Sequence, residues 1–293
     1  MYHNFADMLS IAEEQKTSLW RVILQNEIKH SDLSEKEIFE NLEKHWQVMD
    51  RSAHKALEKP QQTALNLISG ITADQNRYAE QKGGICGRMI NKAMAYALSS
   101  SEVNASMGKI CAAPTAGACG ILPAVLLTLK DELQLEDRKL LEGLLTASGV
   151  GAIFMKNATV AGAEGGCQAE CGVAAAMAAA AAVELSGGTP RQALYAVCFT
   201  MMNCMGLVCD PVAGLVQVPC AQRNASQTVN ALLSADLALG GMESIITPDE
   251  MVESMLKVGR QLPTALRETA KGGIAATESG KRYSAQLIKE SES

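Results

Sequence analysis

The sequence predicts an all-α protein: a large helical domain of buried Ala- and Gly-rich helices, preceded by an N-terminal helical appendage. Three observations carry this. Aromatic residues are only 4% of the 293 residues, whereas sandwiches and barrels lean on aromatic and β-branched side chains. Ala, Leu, Met, Glu and Lys, which favour helices, dominate instead. Apolar residues recur at helical spacing, with no strand-like alternation of useful length and no internal repeat. At 47% apolar and 20% charged, the chain is neither disordered nor fibrous and is long enough to bury a sizeable core. Its net charge of −6 offers no basic face, so no nucleic acid is expected as a partner.

Residues 1–60 read as the appendage and 61–293 as the main helical domain, or the two as one continuous domain. The appendage holds all four histidines (His3, His30, His45, His54) and both tryptophans (Trp20, Trp46). Ser34 to Glu37 fits a capping box, and Ile38, Leu42, Trp46 and Met49 follow at helical spacing. Pro60 and Gln61-Gln62-Thr63 mark its end. Ser69 to Gly84, with Gly70 and the Gly83-Gly84 pair, reads as a loop. From about residue 85, helices follow one another with short breaks. Thr189-Pro190 and Thr247-Pro248-Asp249-Glu250 are helix starts, the second leading into a stripe of Met251, Met255, Val258 and Leu262.

Residues 110–129 carry no charge and are long enough to cross a bilayer. Pro114, Gly117, Gly120 and Pro123 interrupt that run, and the Ala-rich stretch from Val173 to Val183 is too short to span. Both read as buried helices, and no membrane is expected as a partner. The N-terminus has neither the basic start nor the apolar core of a signal peptide. A cytoplasmic location follows as the expectation, where thiols stay reduced. Most of the nine cysteines then read as small buried apolar residues.

Three segments look unlike ordinary helix. In Asn104 to Pro123, the Pro-Thr-Ala-Gly-Ala-Cys-Gly portion is a small-residue turn running into an apolar helix. Backbone N–H groups at such a start can hold a carboxylate or phosphate; the plainer reading is a tight turn. In Lys156 to Cys171, Glu164, Gln168 and Glu170 sit among Ala and Gly, and a buried carboxylate needs a partner or a task. Cys167 and Cys171 are spaced to share one helix face, as two merely buried cysteines also would. In Cys209 to Asn224, two prolines and a glycine hold the chain out of helix between two cysteines. The spacing fits no zinc ribbon, zinc finger or ferredoxin run.

Together these segments resemble the α subunit of the iron–sulfur-dependent L-serine dehydratases. The likeness extends to Gly272-Gly273-Ile274-Ala275 and, more loosely, over the N-terminal helices. It implies a lyase converting L-serine to pyruvate and ammonia, with a [4Fe–4S] cluster held by Cys167, Cys209 and Cys220. Three thiolates leave one iron open, to act as a Lewis acid on the substrate hydroxyl. The other six cysteines read as core, with Cys119 and Cys171 nearest the cluster. An anionic cluster and an anionic substrate call for cations. Lys109 and Lys156 are therefore expected to be catalytic, and Arg223 and Asn157 to bind substrate beside the turn donors of Pro114, Thr115, Ala116 and Gly117.

Single-chain members of that family carry a Ser-His-Thr-type segment in an extra domain, and Ser52-Ala53-His54-Lys55 does not match it. No cysteine follows Cys220, so the self-blocking cysteine tail of those members is not expected either. The expectation is the α half of a two-subunit enzyme, with a separate β subunit and, in isolation, a homodimer covering an exposed apolar patch. A non-catalytic iron or redox sensor is the main competing reading, yet it has no use for the Pro114–Gly120 turn or for buried Glu164 and Glu170. A pyridoxal-phosphate lyase would need a lysine and a phosphate loop on an α/β scaffold, and the strands are missing.

Overall fold

The computed structural model describes residues 1–82 and 84–291. Of the described chain 74% is helical, with no sheet. The first helices are α1 (Phe5–Glu14), α2 (Leu19–Ser31), α3 (Glu35–Glu58), α4 (Ile71–Lys82), α5 (Gly87–Ala105), α6 (Ile121–Leu133) and α7 (Asp137–Asn157). After them come α8 (Gly162–Gly165), α9 (Val173–Leu185), α10 (Pro190–Cys204), α11 (Cys220–Leu239), α12 (Pro248–Gln261) and α13 (Glu278–Ser291).

The alanine-rich α9 is the axis of the molecule. It packs against α6, α7, α10 and α11, and every residue from Val173 to Val183 is buried. A helix covered on all sides has no polar face to keep. Small side chains let its neighbours approach closely. The stretch Gln168–Leu185 is apolar and long enough to cross a membrane, and 83% of it is buried inside the protein. The charge-free run 110–129 behaves differently from expectation. Only its second half is helical, within α6, while residues 110–120 form an irregular segment with a short 3-10 turn at Ala116–Ala118.

The expected helix starts are present. Ser34 with Glu37, Thr189 with Gln192, and Thr247 with Glu250 each form a reciprocal capping box. Along α12, Met251, Val252 and Met255 are buried, while Val258 and Leu262 are half-buried. Residues 69–84 correct the loop expectation, because Ile71–Lys82 is helix; Gly83 lies outside the described residues. Glu102, fully buried, accepts from the N–H groups of Gly70 (3.1 Å) and Thr72 (3.3 Å) and so starts α4 from a distance. Sequence pattern misses this because the cap is long-range and the segment is polar.

The N-terminal helices are fastened in the same way. Asp249 accepts from the N–H groups of Phe5 and Ala6, both at 2.9 Å, and caps α1. Glu184 accepts from Leu19 (2.6 Å) and Trp20 (3.2 Å) and caps α2, with a further bond from the Thr146 hydroxyl. Phe5, Met8, Leu19, Val22 and Trp46 lie in one continuous core with α9.

Glu184→Ala removes the acceptor from three donors, and a loss of about 3 kcal/mol in urea denaturation is expected. Burial, partly opposed by those donors, holds the Glu184 carboxyl above its ordinary value. A raised folded-state value means that its titration adds stability below the unfolded value, and that this is lost as pH rises through the folded one. Relative to Glu184→Gln, the wild-type protein should therefore lose stability as pH climbs out of the ordinary glutamate range. A flat difference across that window would refute the assignment.

Candidate functional site

Four irregular segments meet at one side of α9, and each is held by buried side chains. After α8, Gly166 turns the chain at φ +76°, and a Cβ there would lie 2.7 Å from the Leu207 carbonyl oxygen. A π-turn over Gln168–Gly172 then leads into α9. Gln168, fully buried, donates to the carbonyls of Gly165 (2.9 Å) and Met255 (3.1 Å) and accepts from the Gly206 N–H (2.8 Å). It therefore joins the Cys167 turn to α12 and to the end of α10.

Cys209 lies in an isolated parallel bridge with Arg267. Its N–H donates to Leu266 O at 2.9 Å, and its carbonyl accepts from Glu268 N–H at 2.7 Å. The next residue, Asp210, accepts from Arg223 Nη2 (2.8 Å) and from the Ile274 N–H (2.8 Å). At the head of α11, Asn224 accepts from the Gly120 N–H (2.9 Å) and donates to the carbonyls of Gly117 (2.7 Å) and Cys220 (2.8 Å). The turn at 115–120 is thereby pinned to the Cys220 segment.

All nine cysteines are free, with Cys167 and Cys209 only 3% and 4% exposed. Burial pushes the Cys220 thiol up to about 12, with charge at Cys167 and Glu170 adding to the rise. The Cys209 thiol is raised further, by burial first and then by Glu170, Cys167, Glu268 and Cys220. The three sulfurs, from three separate segments, thus lie within electrostatic reach of one another. Cys167 shifts the other way. The Cys171 thiol and Arg223 both stand beside it and favour its thiolate, so its value is lowered and that of Cys171 is raised.

Glu164, expected to be buried, is exposed and accepts from the Thr159 hydroxyl at 2.6 Å; two other carboxylates face this group. Oxygens of Glu170 and Glu268 lie with Cys209 Sγ within 4.8 Å of one another, a spacing suited to one cation. Burial, then Glu268, raises the Glu170 carboxyl, against the opposing effect of the Thr115 hydroxyl. Thr115 Oγ1 is buried and has no hydrogen bond of good geometry. Gly162 has no room for a side chain: its Cβ would lie 2.5 Å from Glu170 Oε2 and 3.2 Å from Cys209 Sγ.

The structure therefore gathers Cys167, Cys209, Cys220, Arg223, Thr115 and Gly117. Ala116 is exposed, and its carbonyl accepts from Asn104. Pro114 lines an apolar cavity of about 350 Å³ with His45, Cys111 and Val160. Three expected residues stand elsewhere. Lys109 is exposed, in a cleft with Arg51 and Lys55. At the end of α7, Lys156 Nζ bonds His3 Nδ1 at 2.9 Å and Asn157 Nδ2 donates to His3 O at 3.0 Å. The larger clefts, about 770 and 790 Å³, are lined by none of the gathered residues. Sequence reasoning missed Asp210 and Glu268. Asp210 sat in plain view beside Cys209, whereas Glu268 carried no local signal.

The sequence profile of serine dehydratase alpha chains matches residues 14–275. The chain is 46% identical over 290 residues to the L-serine dehydratase alpha chain of Peptoniphilus asaccharolyticus, covering 99% of each protein. It is 40% identical to a probable L-serine dehydratase alpha chain of Bacillus subtilis (strain 168), covering 98% of this chain and 96% of that one. It is 34% identical to an L-serine dehydratase of Escherichia coli (strain K12), covering 94% of this chain but 61% of that longer protein.

Asn224 tests the bracing. Asn224→Asp keeps the acceptor for Gly120 but loses both donors and sets a charge against two carbonyls. A loss of about 3 kcal/mol in denaturant unfolding of the metal-free protein is expected. A loss below about 0.5 kcal/mol, the range of ordinary surface changes, would show that the bridge does not hold the turn.

Proposed function

The chain belongs to the serine dehydratase alpha chain family, and from that premise we propose how its gathered cysteines serve the reaction. The protein is a lyase, an L-serine ammonia-lyase. Removal of the Cα proton and the β-hydroxyl gives aminoacrylate, which hydrolyses through its imine to pyruvate and ammonia. In our reading Cys167, Cys209 and Cys220 hold a [4Fe–4S] cluster through three thiolates. One observation carries it: three free sulfurs from three segments converge, and each has a buried bracing side chain one or four residues further on.

The donor set fits such a group. Thiolates are the usual ligands of iron–sulfur clusters, and the buried Thr115 hydroxyl, beside Glu170 but without a well-formed hydrogen bond to the protein, is free to turn toward a bound group. When bound, the cluster supplies a Lewis-acidic iron for the substrate hydroxyl. The protein's own groups bind the rest of the amino acid. Arg223 suits the α-carboxylate, aided by the Thr115–Gly117 turn. Glu170 and Glu268 offer negative charge to the α-ammonium. No step is assigned to Lys109, Lys156 or Asn157, which stand apart from this group.

A separate β subunit completes the enzyme in this reading. Support comes from the alpha-chain names of the relatives and from the longer Escherichia coli protein, of which this chain matches 61%. Without that subunit the chain is proposed to form a homodimer. Nine free thiols accord with a reducing cytoplasm.

Anaerobic reconstitution with iron and sulfide tests the ligand set. Cys167→Ser, Cys209→Ser and Cys220→Ser should each fold yet lose the broad visible absorption and labile sulfide. Cys111→Ser and Cys198→Ser should keep both, and full cluster content in any of the first three would remove that residue. Thr115→Ala should lower kcat/KM on L-serine about tenfold or more with iron content unchanged, assayed as pyruvate with the β subunit present. Equal loss of iron and turnover would make Thr115 merely structural.

A further inference from the structure

Asp210 is 2% exposed, and both of its oxygens are committed. Oδ1 accepts from Arg223 Nη2 at 2.8 Å, and Oδ2 accepts from the Ile274 N–H at 2.8 Å. Arg223 also donates from Nη1 to the Val208 carbonyl at 2.7 Å, and its side chain is 15% exposed. Two fixed bonds on a planar guanidinium set the direction of its remaining N–H donors.

The other partner of Asp210 is the segment that follows α12. Gly273 sits at φ +59°, and a Cβ there would lie 2.1 Å from Asp210 Oδ2. Only glycine permits both that backbone and that approach. The same segment is bonded to Cys209, through Leu266 O and the Glu268 N–H. Residues 266–274 thus lie along Cys209-Asp210, and the Asp210 carboxylate joins them to Arg223 on α11.

We propose that Asp210 is a positioning residue for the substrate: it couples Arg223 to the seated 266–274 segment, so that the guanidinium is aimed at the α-carboxylate of the amino acid. The inference rests on Arg223 as the carboxylate anchor, as read above. It makes Gly273, which touches no reacting atom, part of substrate recognition. It also makes the position of Glu268, on the same segment, depend on the same carboxylate.

The test uses the reconstituted chain with its β subunit. Asp210→Ala and Gly273→Ala should each raise KM for L-serine about tenfold or more, as expected for a misaligned charge-assisted bond. Iron content should hold, and kcat should change far less than KM. Combining the two should raise KM no further than the worse single variant, and Arg223→Ala should add little on top of Asp210→Ala. Asp210→Asn, which keeps one acceptor, should recover part of the loss. Lys271 is exposed, so trypsin should cut the cluster-free Asp210→Ala and Gly273→Ala variants after it several-fold faster than the wild type. Additive effects on KM, an unchanged KM, or iron lost in step with activity would overturn the proposal. The trypsin comparison needs no cluster: a wild type that takes up no iron defeats the cofactor reading, whereas unaltered cleavage in both variants defeats the coupling.

Discussion

Irregular backbone inside a helical core must find a partner for every peptide group, and the architecture of this site follows from that requirement. Four segments leave helix around one side of α9, and water cannot satisfy their interior carbonyls and N–H groups. Three buried side chains do so instead. Gln168, Asp210 and Asn224 each bridge two segments that are distant in sequence. Each follows a cysteine of the site by one or four residues. Leaving one such buried group unpaired costs about 1–3 kcal/mol, a sizeable share of a typical stability of 5–15 kcal/mol. The geometry around the sulfurs is therefore set by amide and carboxylate bonds and does not wait for a metal.

That arrangement crowds acidic groups together. Cys209 is buried and Cys220 half-buried, both within electrostatic reach of Glu170 and Glu268, and desolvation above all raises their thiols. Cys167 differs because the Cys171 thiol and Arg223 beside it favour its charged form. The cation is itself fixed by Asp210, so one carboxylate sets both the direction and the charge balance of the site. Metal binding to thiols must release their protons. Cys209 and Cys220 therefore give up their protons reluctantly, and Cys167 more readily.

Much of the fold was legible in the sequence. One capping box, two Thr-Pro helix starts and the buried alanine helix are local patterns, written within a few residues of one another, and they hold in the structure. Helix α4 was not legible, because Glu102 starts it from the neighbouring helix. The site divided along the same line. Spacing alone could not connect Cys167 with Cys209 and Cys220; the resemblance to a family did, and the structure brings the three segments together. Lys156 and Asn157 lay inside a distinctive motif, yet α7 ends by turning both side chains toward His3. Position in a motif reports that a segment matters; which way a side chain points depends on the helix that ends there.

The π-turn at Gln168–Gly172 shows how helix and site are reconciled. A regular α-helix running from Gly162 into α9 would carry successive side chains steadily around its axis. The wider turn breaks that progression just where Gln168 must reach α12, Glu170 must face Cys209, and Cys171 must meet Cys167. Such insertions weaken a helix and are found mostly where function needs them. Here the loss is offset by the fully buried helix that follows, whose packing against four neighbours fixes the end of the turn. The stable part of the molecule and its irregular part are consecutive residues, and the rigidity of α9 lets the five residues before it depart from helical order.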